Sequence, residues 1–386
     1  MINKQFNLAK RPNGMPEDDC WELQENEIPD LLENQILIEV NYLSVDPYMR
    51  GRMNDMKSYA EPVKIGGIMV GESVGKVIQS RSEKYNIGDF VTAHLGWQTH
   101  IVADDNSLFV RRIYPDLAPI QAFLGVAGMP GRTAYFGLLD VGKLKPEDTV
   151  VVSAASGAVG SVVGQLAKLK GCKTIGIAGG KEKCSFVKDE MGLDHAIDYK
   201  SGDLEKSLND ACPNGIDIYF ENVGGEVSNA VAPVINHGAR VPLCGYISAY
   251  NSFNPDMDSR DDLPETPFDV FGSLDPVPEH RFFVVTEFMD KWDMATKELT
   301  EWIRKGEIKY KESVLEGFEN MPQGLRNVLS GKNFGKQLIK DEVFKDKNLR
   351  VYFLKNSFTY FSWAFYNSYS GKLQSFKFVD CCSFAT

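Results

Sequence analysis

The chain has 386 residues, 43% of them hydrophobic and 25% charged, and its formal net charge is −11. That length suffices for two domains, and the acidic balance argues against nucleic acid or an anionic membrane surface as a main partner. The N-terminus has no apolar run typical of a signal peptide, and no apolar stretch approaches the roughly 20 residues that span a bilayer. We therefore expect a cytoplasmic protein.

The first part of the chain, to about residue 120, has the pattern of a β-rich domain. An apolar run at 35–40 predicts a strand, glycines punctuate a predicted pair of strands over 66–78, and a turn within 85–91 leads into another strand. Many short strands joined by Gly and Asn turns are typical of a partly closed barrel.

The stretch Thr149–Gly171 predicts a strand, a tight turn and a helix. A β-branched run at 150–152 is followed by the small residues 154–160, and Gly171 ends the helical pattern. The turn has the form A-x-G-x-x-G, which is typical of dinucleotide-binding βαβ units. Small residues let backbone N–H groups approach a pyrophosphate, and the helix N-terminus favours its negative charge.

The chain around this unit alternates between strand and helix patterns from about residue 121. Such alternation predicts a parallel, doubly wound sheet, hence an α/β fold. Residues 251–280, rich in Asn, Asp and Pro, predict a long loop near the site, and 308–339 predict a return to the first domain. Strands are expected at 173–178, 195–199, 216–221, 240–244 and 282–285, and helices at 128–139, 182–191, 204–211, 227–235 and 295–305.

The end of the second predicted strand of this sheet indicates which dinucleotide binds. An NAD site has an acidic residue here for the ribose 2′-hydroxyl, whereas this chain has the sequence AGGKEK at 178–183. The glycines leave space, and a lysine favours a 2′-phosphate, so we predict NADP(H) with Lys183 as the phosphate partner. The alternative is that Lys183 is a solvated lysine in the first turn of a helix.

Taken together, these and other segments resemble the zinc-independent medium-chain dehydrogenase/reductases. The resemblance is specifically to the alkenal/one double-bond reductases, which include prostaglandin reductases and curcumin-reductase-like enzymes. The resemblance covers residues 1 to about 340. The segments that carry it are DPYMRGRM (46–53), GMPGRTAYFGL (128–138), SAASGAVGSVVGQLAKLKGC (153–172), GIDIYFENVGG (215–225), CGYISAYN (244–251), EGFENMP (316–322) and GKNFGKQ (331–337).

The resemblance implies two domains and a homodimer that associates through the Rossmann sheets. A β-rich GroES-like catalytic domain would comprise 1–122 with 307–340, and a doubly wound parallel Rossmann domain 123–306. Residues 341–386 match nothing in the family pattern, and we assign this atypical C-terminal tail no function.

We expect no metal site. Alcohol dehydrogenases of the same superfamily carry a G-H-E zinc-ligand motif, whereas the equivalent stretch here is Val70-Gly71-Glu72. The seven cysteines are scattered without a C-x-x-C pair, which suits neither a zinc site nor a disulfide framework. The histidines are scattered as well, and we interpret His94, His100, His195, His237 and His280 as surface or core residues. Without a metal, hydride chemistry is easiest on an activated double bond.

In the family's mechanism, NADPH passes a hydride to the β-carbon of an enal or enone, hydrogen-bond donors hold the developing enolate, and a proton reaches the α-carbon. By resemblance, Tyr250 is positioned at the nicotinamide ribose and the substrate oxygen. The final proton comes either from Tyr250 or from solvent. The structural alternative is that Tyr250 only packs within its loop.

Further site residues are implied by the matching motifs. The pyrophosphate would be held by Gly157, Ala158, Val159 and Gly160, the adenine side by Tyr199, and the ribose–phosphate region by Asn222. The nicotinamide half would be lined by Cys244, Gly245, Tyr246, Ile247, Ser248, Ala249 and Tyr250, with Phe283, Val284 and Val285 close by and Asn333 reaching in from the other domain. Tyr48 and Met49 would wall the substrate cleft, and Arg50 would be a structural ion-pair partner.

The sequence thus predicts an NADPH-dependent 2-alkenal/2-alkenone reductase and leaves two alternatives. One is a quinone reductase of the same superfamily. The other is a crystallin-like protein that binds NADPH with little turnover. The enal or enone substrate itself stays open, because loop 251–280 and the residues around Tyr48 set specificity by shape.

Overall fold

The computed structural model describes residues 1–56, 58–252 and 264–341, together with the backbone of two short strands beyond them. The chain divides into two compact units, residues 1–341 and 342–386. In the second unit, strands Ala364–Asn367 and Lys372–Ser375 form an antiparallel pair. The rest of the predicted tail lies outside the described residues. No helix in the described ranges is long and apolar enough to cross a bilayer.

The first unit contains two larger sheets and a small one. Its strands are β1 (Ile2–Leu8), β2 (Trp21–Glu27), β3 (Gln35–Val45), β4 (Ser73–Ser80), β5 (Phe90–Ala93), β6 (His100–Asp104), β7 (Val110–Ile113), β8 (Thr149–Val152), β9 (Lys173–Ala178), β10 (His195–Asp198), β11 (Ile216–Phe220), β12 (Ile235–Leu243), β13 (Glu279–Phe282), β14 (Glu312–Glu316) and β15 (Lys336–Lys340).

Helices cover and connect these strands. The α-helices are α1 (Tyr48–Arg52), α2 (Met129–Phe136), α3 (Gly160–Leu169), α4 (Lys181–Ser185), α5 (Leu204–Ala211), α6 (Glu226–Val231), α7 (Pro267–Gly272), α8 (Trp292–Arg304) and α9 (Met321–Leu329). Two of them, α2 and α4, continue into π-helical turns at Gly137–Val141 and Phe186–Glu190. Short 3₁₀ turns lie at Asp18–Cys20, Ile120–Leu124, Ala232–Val234, Ile247–Ala249, Val285–Lys291 and Phe318–Asn320.

The β-rich sheet is built around β3, the longest of its strands. Its order is β14-β15-β3-β4-β5-β7, and β6 also pairs with β3. The run QILIEVNYLSV is buried along most of its length, and its apolar side chains pack in the core of this domain. β15 pairs antiparallel with β3, so the chain returns to this sheet after residue 308, as the sequence predicts. The domain boundaries themselves stay a prediction.

The parallel sheet has the order β10-β9-β8-β11-β12-β13. The fully buried β-branched run of β8 lies at its centre, between β9 and β11. This order, in which the winding direction reverses at β8, is that of the doubly wound dinucleotide fold, and it opens a crevice at the carboxyl ends of β8 and β11. The predicted α/β fold class is confirmed.

Several predicted elements differ from the observed ones. Residues 66–78 contain the start of one strand, β4 from Ser73, and not a pair of strands, because Ile68 makes only an isolated bridge to Asn7. The predicted helix over 227–235 ends in a 3₁₀ turn, and strand β12 begins at Ile235. The strand expected at 282–285 lies earlier, at 279–282, because Glu287 accepts the Val284 N–H (2.8 Å) and starts a helical turn there.

The predicted loop 251–280 contains α7 and the start of β13. Thr266 caps α7, since Asp269 Oδ2 accepts both the Thr266 N–H (2.9 Å) and its hydroxyl (2.7 Å), and Pro267 follows at the first helical position. This capping signature is readable in the sequence T-P-F-D. Residues 253–263 of the predicted loop lie outside the described residues.

A buried group of charges lies where the end of β3, the start of β4, strand β15 and helix α2 come near one another. Lys336 Nζ lies 2.6 Å from Asp46 Oδ1 and donates to the Val45 carbonyl (2.8 Å). Glu72 and Arg132 are also buried, and among the described residues Glu72 Oε2 has no hydrogen-bond partner. Burial raises the pKa of Glu72 to about 7, although the positive charge of Arg132 acts to lower it.

We expect the substitution Glu72→Gln to stabilise the protein more at pH 8 than at pH 5. The pKa of Glu72 rises from 4.5 to about 7 on folding, so between these values the folded chain holds a proton that the unfolded chain has released. The wild-type free energy of unfolding therefore falls from about pH 4.5 to about pH 7 through this group, and the loss is complete above pH 7.

Urea unfolding at the two pH values measures this difference. The exposed Glu83, replaced by Gln, is the matched control and should show the same small effect at both. A Glu72→Gln effect that does not change with pH would contradict the raised pKa.

Candidate cofactor and substrate site

The turn between β8 and α3 brings backbone close to the carboxyl edge of the parallel sheet. Ala154 has a positive φ of 49°, and Gly157 N donates to its carbonyl (2.8 Å). A Cβ on Gly160 would lie 2.4 Å from the Ala154 oxygen, so only glycine fits where α3 begins. The turn thus presents small residues and the N-terminus of α3 at the crevice, which is a suitable cradle for a pyrophosphate.

A loop from the β-rich sheet lies against this turn. Gly335 forms an isolated parallel bridge with Gly157, and the Asn333 side-chain amide donates to the Gly335 carbonyl (2.8 Å). Lys183 Nζ donates to the carbonyl of Gly331 (2.8 Å) in the same loop. The fold therefore brings the predicted residues Gly157, Lys183 and Asn333 together from both sides of the crevice.

Two lysines, Lys183 in α4 and Lys200 just after β10, lie near the end of β9. Burial lowers the pKa of Lys183, and the nearby charge of Lys200 lowers it further. A Cβ on Gly179 would lie 2.7 Å from the ring of Tyr199 and 3.0 Å from Lys200 Cε, so this side of the site is compact. Tyr199 is 47% exposed, and Lys200 Nζ lies 5.8 Å from its ring centroid. Sequence reasoning missed Lys200, although it follows Tyr199 directly in the IDYK motif.

The carboxylate of Glu221 orders the loop that follows β11. It has no exposed surface, and donors from four segments surround it. Glu221 was missed as well, although a glutamate at the end of the apolar run IDIYF is a readable signal. The donors are Ser153 Oγ (3.0 Å), Tyr219 Oη (3.0 Å), Val223 N (2.7 Å), Gly224 N (3.1 Å) and Ser228 Oγ.

Backbone hydrogen bonds join this loop to residues 244–250, which follow β12. They run from Cys244 N to Glu221 O (2.9 Å), from Ile247 N to Asn222 O (3.2 Å) and from Ser248 N to Val223 O (3.0 Å). The Asn222 side-chain amide donates to the Ser153 carbonyl (2.8 Å) and so ties the loop to the end of β8. The predicted nicotinamide segment thus lies beside the glycine turn.

Tyr250 lies at the end of this segment with its hydroxyl over Gly245. A Cβ on Gly245 would be 2.7 Å from that oxygen, and the rings of Tyr246 and Tyr250 meet edge to face at 5.6 Å. Burial raises the pKa of Tyr250 well above its usual value, with further contributions from Cys244 and Tyr59. The phenol therefore keeps its proton at neutral pH and can donate a hydrogen bond.

The predicted cleft residues Tyr48 and Met49 have different surroundings. Tyr48 Oη is hydrogen-bonded to His94 Nε2 (3.2 Å), and burial raises the pKa of the phenol and lowers that of the imidazole, so both are neutral. Met49 has no exposed surface and packs in the core beside Gly71, so it offers no open surface to a ligand. Tyr59, which the sequence did not single out, stacks obliquely on Phe282 with centroids 6.1 Å apart.

The segment 283–285 turns two of its side chains into the core. Phe283 packs edge to face on Phe220 (6.1 Å), and Val285 is buried while its carbonyl accepts from Trp292 Nε1 (3.0 Å). Of the three predicted residues, only Val284 is partly exposed. The side chains of Phe283 and Val285 therefore contact the core in this structure and leave almost no surface for a cofactor.

We found no group of three or more His, Cys, Asp or Glu side chains arranged to hold a metal ion in the described part of the chain. The expectation of a metal-free site stays a prediction.

We expect Gly160→Ala to raise the Kd for NADPH by about 5- to 150-fold, which corresponds to the cost of about 1–3 kcal/mol for overpacking. The added Cβ would clash with the Ala154 backbone oxygen, which cannot move without opening the turn. Titration of protein fluorescence with NADPH measures the Kd. Gly164→Ala in the same helix is the control, since the three atoms nearest to its Cβ would belong to the Leu193 side chain and not to the backbone of the turn. Unchanged binding by Gly160→Ala would show that this turn does not hold the cofactor.

Comparison with known proteins places this geometry in a family. Residues 4–110 match the family model described as the N-terminal domain of oxidoreductase, and 158–273 match that of zinc-binding dehydrogenase. The NADPH-dependent curcumin reductase of Escherichia coli is 41% identical over 343 residues, which cover 88% of this chain and 96% of that protein. Prostaglandin reductase 1 of Rattus norvegicus is 41% identical over 342 residues, 87% of this chain and 98% of that protein.

Among solved structures, CurA from Vibrio vulnificus in complex with NADPH is 44% identical and matches with a TM-score of 0.80 over 88% of this chain and 99% of its own. A quinone oxidoreductase of Pseudomonas syringae is 16% identical with a TM-score of 0.69, which shows the fold alone. The chain therefore belongs to the medium-chain dehydrogenase/reductase family, in the NADPH-dependent branch that contains the curcumin and prostaglandin reductases.

Proposed function

We propose that this protein reduces the carbon–carbon double bond of α,β-unsaturated aldehydes and ketones, with NADPH as the hydride donor and the β-carbon as the acceptor. The observation that carries the proposal is the half-buried phenol of Tyr250, whose hydroxyl lies over Gly245 in a loop that is hydrogen-bonded to the loop after β11 at the crevice. The 41% identity to a curcumin reductase and to a prostaglandin reductase supports it.

The residues of the crevice fit NADPH. The glycine turn 157–160 and the N-terminus of α3 would hold the pyrophosphate, and Lys183 with Lys200 would face the 2′-phosphate. The loop at Asn333 would close over the phosphates from the other side. When bound, the cofactor supplies a hydride at the nicotinamide ring.

Tyr250 would hold the substrate oxygen as negative charge develops on it. Its raised pKa keeps the proton on the phenol, so the hydroxyl donates a hydrogen bond to the enolate, directly or through a ribose hydroxyl. The neutral Tyr48–His94 pair would border the substrate. Solvent or Tyr250 would then deliver the proton to the α-carbon.

We expect Tyr250→Phe to lower kcat for cinnamaldehyde reduction by about 10²–10³-fold, which is the usual cost of removing one oxyanion donor. NADPH absorbance gives the rate, and mass spectrometry of the product distinguishes the saturated aldehyde from the alcohol. Tyr114→Phe, at an exposed tyrosine, is the control.

Three other outcomes would contradict the proposal. Full activity of Tyr250→Phe would remove the assigned role of the phenol. NADPH oxidation by quinones without alkene reduction would favour a quinone reductase. Tight NADPH binding without oxidation by either acceptor would favour a non-catalytic NADPH-binding protein.

We expect Lys183→Ala to lower kcat/KM for NADPH by about 10- to 150-fold, since a hydrogen bond to a charged group contributes about 1.5–3 kcal/mol. The value for NADH should change less than about threefold, because NADH has no 2′-phosphate for the lysine to bind. Lys181→Ala, at an exposed lysine two residues away, is the control. An equal loss with both cofactors would show that Lys183 acts on the fold and not on the 2′-phosphate.

The finer features implied by the resemblance belong to the same proposal. These are a catalytic domain of 1–122 with 307–340, a Rossmann domain of 123–306, a homodimer and a cytoplasmic location. The position of β13 at an edge of the parallel sheet, with the exposed Phe268 and Val277 nearby in sequence, supports association through that edge.

A further inference from the structure

Arg50 lies fully buried on α1, two residues after Tyr48. Its Nε donates to the side-chain oxygen of Asn251 (3.2 Å) and to the Gly14 carbonyl (3.1 Å), and Nη2 donates to Gly14 as well (3.0 Å). Nη1 donates to Asn54 Oδ1. Within the described residues, neutral acceptors therefore hold Arg50 in place of the ion pair that the sequence predicts.

This arrangement is costly, so its retention requires a reason. A buried guanidinium without a carboxylate loses hydration that neutral acceptors replace only in part. Burial lowers the pKa of Arg50 to about 10, so the group still carries its charge at neutral pH. A charged donor makes stronger hydrogen bonds than a neutral one, which suits a residue that must hold separate segments together.

The segments that Arg50 joins are far apart in sequence. Asn251 follows Tyr250 directly and is 201 positions from Arg50. Its amide nitrogen also lies 3.9 Å from the sulfur of Met15, the residue after Gly14. Arg50 thus connects the helix that carries Tyr48 with the loop that carries Tyr250.

Among the residues described up to 252, the end of the Tyr250 loop is held locally by two turn hydrogen bonds. Tyr250 N donates to the Ile247 carbonyl (3.2 Å) within a short 3₁₀ turn, and Ser252 N donates to Ala249 (2.9 Å). Turns of this length are weakly stable by themselves. A contact from another part of the fold is therefore needed to hold the phenol in one place.

We propose that Arg50 is a positioning residue for Tyr250 and acts through Asn251. The inference rests on the proposed function, because the group that it positions is the donor to the substrate oxygen. Misplacement of a catalytic group by about 1 Å can cost about 10²-fold in rate. The Arg50–Asn251 contact therefore sets kcat while leaving NADPH binding unchanged.

A double-mutant cycle tests this coupling with cinnamaldehyde and NADPH. We expect Asn251→Ala to lower kcat about 10- to 100-fold with the KM for NADPH changed less than about twofold. In a Tyr250→Phe background the same substitution should cost less than about twofold, because the group that it positions is gone. Asn251→Asp keeps the acceptor oxygen and should restore most of the activity.

Asn54→Ala is the matched control. It removes another amide acceptor of the same guanidinium without touching the Tyr250 loop. It should lower the Tm about as much as Asn251→Ala but change kcat less than about threefold, since neither Arg50–Asn251 nor Tyr250 is lost. An equal loss of kcat in both variants, or an equal loss in both Tyr250 backgrounds, would overturn the positioning role.

Hydrogen exchange of the peptide spanning 245–252 provides a readout that does not depend on turnover. We expect exchange there to accelerate at least about tenfold in Asn251→Ala and to stay at the wild-type rate in Asn54→Ala. Faster exchange in a protein that reduces no enal would leave the Arg50 contact supported and the proposed function wrong. Unchanged exchange and kcat in an active Asn251→Ala enzyme would overturn the Arg50 inference alone.

Discussion

The buried carboxylate of Glu221 is the constraint on which the carboxyl edge of the parallel sheet depends. A carboxylate without exposed surface must be hydrogen-bonded, and here donors from the residue after β8, from β11, from the loop after β11 and from α6 meet at it. Residues 221–223 then bind residues 244–250 through four backbone hydrogen bonds, two of which end on the Glu221 carbonyl. One satisfied charge therefore sets the distance between the glycine turn and the loop that ends in Tyr250.

The β-rich sheet also relies on buried charge near the site. Lys336 on β15 pairs with Asp46, the residue that follows β3. Arg50 on α1 donates to Asn251 in the Tyr250 loop. Such groups are poor sources of stability because their desolvation offsets most of the attraction. Their hydrogen bonds are directional, however, and a conformation that leaves such a buried charge without partners costs free energy. Both therefore fix where the segments of the crevice lie more than they strengthen the core.

The two ends of the crevice differ in their electrostatics, and this matches the chemistry proposed for each. Lys183 and Lys200 place positive charge near the end of β9, where burial and the charge of Lys200 lower the pKa of Lys183 and where an anionic phosphate would relieve the repulsion. At the Tyr250 end lie the half-buried, neutral phenols of Tyr48 and Tyr250, whose pKa values are raised by desolvation. A neutral donor there can stabilise charge that appears during reaction without holding an anion beforehand.

The sequence by itself determined the features that depend on residues close together along the chain. The β-branched run, small turn and helix of 149–171 predict their structure and ligand locally, and Lys183 follows from the residues after β9. Only the tertiary structure decided which donors surround Glu221 and that Arg50 contacts Asn251. It also decided that Lys200 and Tyr59 lie near the site and that the side chains of Met49 and Phe283 are buried. These depend on packing between segments up to 201 positions apart, and a periodicity or motif read along the chain carries no information about which distant acceptor a buried charge will meet.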